Sequence, residues 1–376
     1  MKKIFLFLLL FCFSNVKAAE LTKYSSSAVL IEPTTQKIIY EQNKDEKRPP
    51  ASMTKLMTML ITMEAIHEGR INLDDKVLIS ENSSNMGGSQ IFLETGMEIE
   101  VQQLLKGIAI ASGNDAAVAM AEHIAGSVDV FVEMMNEKAA ELGLSNTHFV
   151  NVHGLDAENH YSTANDMAII AVNLLKYPDI LSYTSLYEDY LVKPDGSKTW
   201  LVNTNKLVRF YPGVDGLKTG YTSSAGYCLT ATAKKDDIRF ISVVMGVDSS
   251  EHRSADTTSL LNYAFSNYKL NTILTTNDVI GELSIKKGKK SKVDIIPLDN
   301  ITDLVKKSEQ KDYSYEIDYT NNTAPLLKGD IVGSIDVIDN NGNLVKTVSL
   351  TVKEDVYKHS FGSLFIKCLK RIINGY

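Results

Sequence analysis

The sequence predicts an α+β protein, in which a larger domain with an antiparallel sheet and a cluster of helices precedes a small all-β domain. Largely apolar stretches with helical spacing dominate residues 52–175, and strand patterns lie at residues 28–40 and 227–246. Alternating strand patterns follow from about residue 271. Because a chain of 376 residues can bury two hydrophobic cores, we expect the mixed domain over residues 19–270 and the all-β domain over residues 271–356.

The composition is that of a globular protein without a nucleic-acid partner. The formal net charge is −7, and 44% of the residues are hydrophobic. An acidic chain argues against nucleic-acid binding, which depends on an excess of cations. No internal repeat with the period of a solenoid or a propeller is visible.

Residues 1–18 predict an export signal. Two lysines precede the apolar run Ile4–Phe13, and Val16 and Ala18 occupy the small-residue positions before a cleavage site after Ala18. The apolar run is too short to span a bilayer comfortably. We therefore expect the mature protein to act outside the cytoplasm.

The cysteines provide no disulfide framework. Cys12 lies within the predicted signal, so that only Cys228 and Cys368 remain in the exported chain. Lipid attachment at Cys12 is an alternative, which the bulky Phe11 before it disfavours. The exported protein is thus expected to depend on its hydrophobic core for stability.

The stretch Pro49–Lys55 predicts a nucleophile and its base at the start of a buried helix. Prolines cannot continue a preceding helix, and the largely apolar run Leu56–Met63 follows. Ser52 and Lys55 are three residues apart and share one helical face. A serine hydroxyl attacks only when a neighbouring base takes its proton, which a neutral lysine can do. The helix start also offers backbone N–H groups to a developing negative charge.

This spacing is weak evidence by itself. Ser-x-x-Lys occurs at four other places: Ser14/Lys17, Ser266/Lys269, Ser284/Lys287 and Ser308/Lys311. Only the pair at Ser52 opens a strongly apolar helix after two prolines. Support for a catalytic role must therefore come from other parts of the chain.

A second polar pair, Ser112 and Asn114, is predicted to lie in a tight connection between two apolar helices. The first helix covers residues 101–110, and the second begins near Ala116. A polar pair between buried elements either caps a helix or serves function, and capping by Asn114 or Asp115 is the alternative here.

A third motif, Lys218–Gly220, ends a turn-rich stretch and occurs once in the chain. It precedes a predicted hairpin formed by Tyr227–Ala233 and Arg239–Gly246. Its glycine allows backbone to approach a ligand closely, and its lysine and threonine can hold an anion. Arg253 follows the hairpin closely. His153, which could also be catalytic, is better explained as a structural histidine in a loop.

The all-β domain carries no catalytic grouping. Residues 314–319 alternate as a strand, and residues 335–338 pair with residues 344–348 across an Asn-Asn-Gly-Asn turn. The basic run Lys286–Lys292 is explained by a solvated turn.

A terminal amphipathic helix is predicted over residues 357–376. Its apolar side is formed by Phe361, Leu364, Phe365, Cys368, Leu369 and Ile372. Its opposite side carries Lys367, Lys370 and Arg371. The helix is too short and too charged to span a bilayer, but it suits an anionic membrane surface. Docking on the all-β domain is the alternative.

The motifs Ser52–Lys55, Ser112–Asn114 and Lys218–Gly220 occur in the order and contexts typical of penicillin-binding proteins and serine β-lactamases. The chain most closely resembles the low-molecular-mass penicillin-binding proteins that are D-alanyl-D-alanine carboxypeptidases. The resemblance covers the whole chain. It implies a β-lactamase/transpeptidase-like catalytic domain, peptidoglycan stem peptides and β-lactams as ligands, and a place on the outer face of the bacterial cytoplasmic membrane. It implies no metal and no cofactor.

The resemblance also implies the role of each site residue. Ser52 attacks the carbonyl of the penultimate D-alanine, Lys55 is the general base, and Ser112 relays the proton to the leaving amine. The residues implied to bind substrate are Asn114, Lys218, Thr219, Gly220, Tyr221 and Arg253. Asn114 positions the substrate amide, the N–H groups of Ser52 and Tyr221 form an oxyanion hole, and the motif at Lys218 with Arg253 holds the terminal carboxylate.

Two other functions share the first chemical steps. A class A β-lactamase needs a glutamate in a Glu-x-x-Leu-Asn loop, and the nearest candidate, Glu141–Ser145, lacks the asparagine. A non-enzymatic penicillin sensor acylates without turnover and normally has a transmembrane signalling segment. We expect neither, and we expect a carboxypeptidase.

Overall fold

The computed structural model describes residues 21–360 and part of the C-terminal segment. The described residues of that segment are helical: Gly362, Phe365, Ile366, Leu369, Ile372 and Ile373. The predicted export signal at residues 1–18 and the cationic side of the predicted terminal helix lie outside the described residues. Among the residues that are described, no helix has the length and the apolar character needed to cross a bilayer.

Sixteen strands lie in the described part of the chain. They are β1 (Ser27–Glu32), β2 (Lys37–Gln42), β3 (Lys76–Leu78), β4 (Glu98–Glu100), β5 (Glu188–Val192), β6 (Lys198–Val202), β7 (Val214–Thr222), β8 (Gly226–Lys235), β9 (Ile238–Val247), β10 (Tyr268–Leu274), β11 (Gly281–Ser284), β12 (Lys292–Pro297), β13 (Ile301–Lys306), β14 (Tyr313–Tyr319), β15 (Gly333–Asp339) and β16 (Leu344–Val352).

The helices lie almost entirely between β2 and β10. They are α1 (Lys55–His67), α2 (Glu81–Ser84), α3 (Val101–Lys106), α4 (Asn114–Ala125), α5 (Val128–Glu141), α6 (Ala164–Leu174), α7 (Leu181–Thr184), α8 (Leu207–Phe210) and α9 (Ser250–Asn267). Short 3-10 turns lie at Ala51–Thr54 and Pro178–Ile180, and a π-helical turn lies at Gly107–Ala111.

A five-stranded sheet with the order β2-β1-β9-β8-β7 forms the framework of the helical part of the chain. The two predicted strand pairs, β1–β2 and β8–β9, are confirmed by this sheet. The stretch before Tyr221, which the sequence predicts as turn-rich, is instead the edge strand β7. Pairing with β8 satisfies its backbone groups, and this tertiary pairing outweighs the turn preference of its glycines.

Helix α1 lies in the hydrophobic core, as its apolar composition predicts. All residues from Lys55 to Met63 are buried. Thr58 and Thr62 satisfy their hydroxyls internally, by donating to the carbonyl oxygens of Val152 and of Thr58 at 2.7 and 2.8 Å. Polar groups can therefore lie in this core helix without a large desolvation penalty.

The described chain forms two compact units. One comprises the described residues up to Val29, Tyr40–Ala231 and Ser242–Tyr263. The other comprises Leu30–Ile39, Thr232–Ile241 and the described residues from Ala264 onward. The domain boundaries predicted at residues 270 and 356 stay predictions.

The second unit contains the predicted all-β fold. A five-stranded sheet has the order β11-β12-β16-β15-β14, with antiparallel pairing between neighbours. Ile295, Val337 and Leu350 are among the fully buried residues of its core. The carbonyl of Tyr357 accepts a hydrogen bond from Lys289, and the N–H of His359 donates to Lys287. Residues 357–360 are therefore extended and do not belong to the predicted terminal helix.

Asp303 on β13 is a buried carboxylate in this unit. It accepts hydrogen bonds from Lys37, from Lys311 at 3.2 Å and from Tyr313 at 3.1 Å. Burial raises the pKa of Asp303, but the hydrogen bonds and charges of Lys37 and Lys311 outweigh burial and leave its pKa below the ordinary value. The ionised form of Asp303 therefore stabilises the fold.

We expect Asp303→Asn to lower the free energy of unfolding by about 1.5–3 kcal/mol at neutral pH, because hydrogen bonds between charged partners are lost. Since the pKa of Asp303 is lower in the folded than in the unfolded state, this stabilisation is present above about pH 4 and is lost as the pH falls through the folded-state pKa. Thermal unfolding measured across this pH range tests the prediction.

The matched control is Asp294→Asn, which removes a carboxylate 3.9 Å from Lys353 on the surface. An exposed pair of this kind contributes little to stability. Equal effects of the two substitutions at neutral pH would contradict the importance assigned to Asp303.

Candidate active site

The nucleophile lies on a 3-10 turn rather than in the α-helix itself. The sequence predicts that the helix starts at Ser52, but the 3-10 turn Ala51–Thr54 comes first and α1 begins at Lys55. Ala51 has a φ of 47°, a left-handed conformation that a residue with a Cβ keeps only where its surroundings enforce it. The turn presents Ser52 to the first residue of α1.

Lys55 is fully buried and surrounded by three acceptors. Its Nζ donates to Ser52 Oγ at 3.1 Å, to Asn114 Oδ1 at 2.6 Å and to the carbonyl oxygen of His153 at 2.8 Å. These acceptors come from a turn, a helix and a loop that are far apart in sequence. The amine is thus held in one position beside the serine hydroxyl.

The surroundings of Lys55 favour its neutral form. Burial lowers its pKa well below the ordinary value, and the positive charge of Lys218 lowers the pKa further. The negative charge of Asp115 acts in the opposite direction. A neutral amine has a lone pair that can accept the proton of a serine hydroxyl.

Ser112 lies at the end of the π-helical turn Gly107–Ala111 and adopts a left-handed conformation with a φ of 62°. It is buried, with 4% of its surface exposed. Within the described part of the chain, its hydroxyl makes no hydrogen bond to Ser52 or Lys55. The structure thus places Ser112 in the predicted connection without joining it directly to the Ser–Lys pair.

Asn114 is the first residue of α4, and the N-cap position before it is occupied by Gly113. The alternative in which Asn114 or Asp115 is the N-cap is therefore wrong. Both ends of the Asn114 amide are used, because Oδ1 accepts from Lys55 and Nδ2 donates to the carbonyl oxygen of Gly87 at 2.7 Å. Asn114 thus holds the Lys55 amine in position.

Strand β7 brings the third motif against the nucleophile. A Cβ built on Gly220 would lie 2.8 Å from the carbonyl oxygen of Pro50 and 3.2 Å from the backbone N of Ser52. Only glycine allows the strand to approach the turn this closely. Thr219 donates its hydroxyl hydrogen to Thr204 Oγ1 at 2.7 Å, a contact that the sequence did not indicate.

Lys218 and Arg253 form a buried cationic pair of residues. Burial and the charge of Arg253 lower the pKa of Lys218 to about 7. Arg253 is 7% exposed, and among the described residues its Nε has no hydrogen-bond partner. Its guanidinium lies 5.9 Å from the centre of the Tyr227 ring, which stacks at 4.3 Å on the exposed Tyr221. Among the described residues neither Lys218 nor Arg253 has a carboxylate partner, and two such buried cations suit an anionic ligand.

The loop around His153 closes the other side of the site. The carbonyl oxygen of His153, which no sequence pattern indicates, accepts a hydrogen bond from Lys55. Burial, with smaller effects from the charges of Lys55 and His160, lowers the pKa of His153 to about 4, so its ring is neutral at neutral pH. His160 supports the loop by a 2.8 Å hydrogen bond between its Nε2 and Thr54 Oγ1.

This arrangement can perform nucleophilic acyl transfer. A serine hydroxyl lies beside a buried amine with a lowered pKa, and two further buried cations are Lys218 on β7 and Arg253 on α9. The fold and the site together suit a serine enzyme of the acyl-transfer class.

Known proteins show which family this is. Residues 14–249 match the family described as D-alanyl-D-alanine carboxypeptidase, and residues 268–358 match the penicillin-binding protein 5, C-terminal domain. The chain belongs to the D-alanyl-D-alanine carboxypeptidase family.

Similar proteins cover nearly the whole chain. D-alanyl-D-alanine carboxypeptidase DacF from Bacillus subtilis (strain 168) is 48% identical over 96% of this chain and 92% of that protein. Penicillin binding protein 5 from Haemophilus influenzae has a crystal structure that matches with a TM-score of 0.76 and 34% identity, over 89% of this chain and 98% of that one. Penicillin-binding protein D2 from Listeria monocytogenes, solved in the ampicillin-bound form, matches with a TM-score of 0.58 and 31% identity. The match covers 64% of this chain and 97% of that one.

These matches confirm the predicted family and the predicted class of enzyme, a serine-type D-alanyl-D-alanine carboxypeptidase. They also confirm the α+β fold with an N-terminal catalytic domain and a C-terminal all-β domain. The terminal amphipathic helix and the roles of individual site residues stay predictions.

We expect Gly154→Ala to abolish acylation of the enzyme by penicillin. Gly154 has a φ of +89°, and a Cβ there would lie 1.8 Å from the carbonyl oxygen of Ala51. The turn that carries Ser52 would have to move. Labelling with fluorescent penicillin, quantified on folded protein, measures the effect.

Gly143→Ala is the matched control, since Gly143 has a φ of +71° and open space around its Cα. Both substitutions carry the strain of a left-handed alanine, about 1–2 kcal/mol. Only Gly154→Ala should lose labelling. Equal labelling of the two folded variants would show that the close approach does not matter for the site.

Proposed function

We propose that this enzyme removes the terminal D-alanine from peptidoglycan stem pentapeptides through an acyl-enzyme on Ser52. The single observation that carries the proposal is the buried Lys55 amine, 3.1 Å from Ser52 Oγ and depressed in pKa. A lysine in such surroundings can act as a base near neutral pH. The family supports the substrate class, since its relatives are D-alanyl-D-alanine carboxypeptidases.

Acylation begins when Lys55 takes the hydroxyl proton of Ser52 and the serine oxygen attacks the carbonyl carbon of the penultimate D-alanine. The N–H groups of Ser52 and Tyr221 stabilise the oxyanion that forms. When the intermediate collapses, the C–N bond breaks, Ser112 passes its proton to the leaving amine of the terminal D-alanine, and Ser112 regains a proton from Lys55, which returns to its neutral form. Water then hydrolyses the ester and restores Ser52.

The terminal carboxylate distinguishes a carboxypeptidase substrate from an internal peptide bond. Lys218 and Thr219 with Arg253 bind this carboxylate. The proposal is supported by the burial of both cations and by the Nε of Arg253, for which the described residues provide no acceptor. A bound carboxylate also raises the pKa of Lys218 and favours its charged form. Asn114 positions the substrate amide once the ligand enters.

A β-lactam enters by the same route because its strained amide also acylates Ser52. The candidate glutamate for rapid deacylation of the class A type is Glu141. It ends α5, its side chain is 66% exposed, and it pairs with Lys138 at 2.7 Å. This position supports a carboxypeptidase that is inhibited by β-lactams rather than a β-lactamase. A penicillin sensor differs in producing no D-alanine.

The enzyme acts outside the cytoplasm, where its substrate is found, and we place it on the outer face of the cytoplasmic membrane. The support is the sequence pattern of the terminal segment and the exposure of its described apolar side chains. Phe365 is 60% exposed and Ile372 is 78% exposed. Apolar residues of this kind, with cations on the opposite side, suit the headgroup region of an anionic bilayer.

Ser52→Ala should remove the penicillin adduct completely. Lys55→Arg should slow acylation by about 10²–10⁴-fold, because the guanidinium group stays protonated and cannot act as a base. Intact-protein mass spectrometry after incubation with penicillin, and D-alanine release from a pentapeptide ending in D-Ala-D-Ala, measure both steps. Peptide mapping of the wild-type adduct should identify Ser52.

Matched controls for this prediction are Ser84→Ala and Lys76→Arg, which change a partly exposed and an exposed residue outside the site. Both should retain normal acylation. An adduct on Ser112, or near-normal acylation of Lys55→Arg, would contradict the proposed roles. Acylation without any release of D-alanine would support a penicillin sensor instead.

Removal of residues 361–376 should release an active protein from membranes. The truncation leaves the pairing of Tyr357 and His359 with the all-β sheet intact. Each cation near an anionic surface contributes about 1 kcal/mol to binding. Co-sedimentation with anionic vesicles at low salt measures how much of the full-length and of the truncated protein binds. A full-length variant with Lys367, Lys370 and Arg371 changed to Gln separates the contribution of charge from that of apolar burial. Sedimentation of the truncated protein with these vesicles would contradict the anchor.

A further inference from the structure

Asp115 is a buried carboxylate that directly follows Asn114 in the sequence. It is 1% exposed. Its Oδ1 accepts from the N–H of Ala116 at 2.8 Å, its Oδ2 accepts from Leu93 at 3.2 Å, and the N–H of Ile91 lies 3.1 and 3.0 Å from the two oxygens. Backbone N–H groups thus compensate part of the cost of burying this charge.

The same hydrogen bonds hold a strained loop. Phe92, between the two bound N–H groups, has a φ of 60° and is 64% exposed. An aromatic residue rarely adopts this left-handed conformation, which costs on the order of 1–3 kcal/mol unless the surroundings impose it. The carboxylate of Asp115 provides such a restraint by binding Ile91 and Leu93 on either side.

The loop in turn orients Asn114. The carbonyl oxygen of Ser89 accepts from the backbone N of Asn114 at 2.7 Å, and that of Gly87 accepts from Nδ2 at 2.7 Å. A Cβ on Gly88 would lie 2.7 Å from the same Nδ2. The loop therefore fixes the amide whose Oδ1 accepts from Lys55 at 2.6 Å.

Asp115 also acts on Lys55 through its charge. Burial and the positive charge of Lys218 lower the pKa of Lys55, and the negative charge of the Asp115 carboxylate raises it. The ring of His153, which also lies near the amine, is neutral. Removal of the Asp115 charge leaves the lowering effects unopposed. The pKa of Lys55 then falls, so the neutral amine persists to lower pH.

We infer that Asp115 is a positioning residue for acylation, which fastens the loop 87–93 against Asn114 and so holds the amine of Lys55 beside Ser52. The inference rests on the proposed role of Lys55 as the base. Asp115 touches neither the substrate nor the reacting atoms. It acts through Asn114 and through the electrostatic field at Lys55.

The test compares the pH dependence of penicillin acylation in the wild type, Asp115→Asn and Asp256→Asn. Asp256 is the matched control: it is 3% exposed and accepts from the N–H groups of Lys23, Tyr24 and Ser25 at 2.8–3.0 Å. The acidic limb of the acylation profile should move to lower pH in Asp115→Asn, because the pKa of Lys55 falls. It should not move in Asp256→Asn, even if that variant is less stable.

Two further variants separate charge from loop structure. Asp115→Glu retains the charge and should keep the wild-type acidic limb, while hydrogen exchange at the amides of Ile91 and Leu93 becomes faster. If Asp115→Asn does not fold, Phe92→Gly is added to the same chain, because glycine adopts the left-handed conformation of position 92 without strain. The shift of the acidic limb is then measured in this double variant. Phe92→Gly alone should keep the wild-type limb.

Coincident acidic limbs in the wild type and in the folded Asp115→Asn or double variant would overturn the inference. So would an equal shift in Asp256→Asn. Failure of the proposed function can be recognised in the same samples. A wild-type protein that is acylated by penicillin but releases no D-alanine lacks carboxypeptidase turnover. Its acylation profile still tests the role of Asp115.

Discussion

The burial of the Lys55 amine is the constraint on which the rest of the site depends. A lysine without access to water loses much of its preference for the charged form, and this suits Lys55 to the proposed role of base for Ser52. The same burial requires that every N–H of the amine finds an acceptor. Asn114 Oδ1 and the carbonyl oxygen of His153 accept from the two N–H groups of the neutral amine, and Ser52 Oγ lies 3.1 Å from its nitrogen.

The surrounding elements can be understood from this requirement. The 3-10 turn at Ala51–Thr54 and the connection at Ser112 both contain left-handed residues, and Gly154 and Gly220 allow backbone to approach the turn closely. Such strained or close-packed backbone persists because the buried core around α1 fixes it. The site is thus preorganised before a substrate enters.

The charges near the site divide into two groups with different tasks. Lys218 on β7 favours a neutral Lys55, Arg253 on α9 lowers the pKa of Lys218, and the two together suit an anionic ligand. Asp115 lies on α4 and opposes the effect of Lys218. The balance of these groups, rather than any single residue, sets the basicity of Lys55, because electrostatic interactions among buried groups are only weakly screened.

The sequence by itself determined the two-part α+β fold, the buried helix α1 and the order of the three motifs, because apolar periodicity and local spacing are properties of short stretches. It did not determine that β7 is a strand, since that depends on pairing with β8. Nor did it indicate the His153 carbonyl, Thr204 or the contacts of Asp115 with Ile91 and Leu93. These contacts join segments that lie far apart in the chain, and backbone acceptors have no signature in the residue type. Only the tertiary structure could therefore decide which groups surround the amine of Lys55.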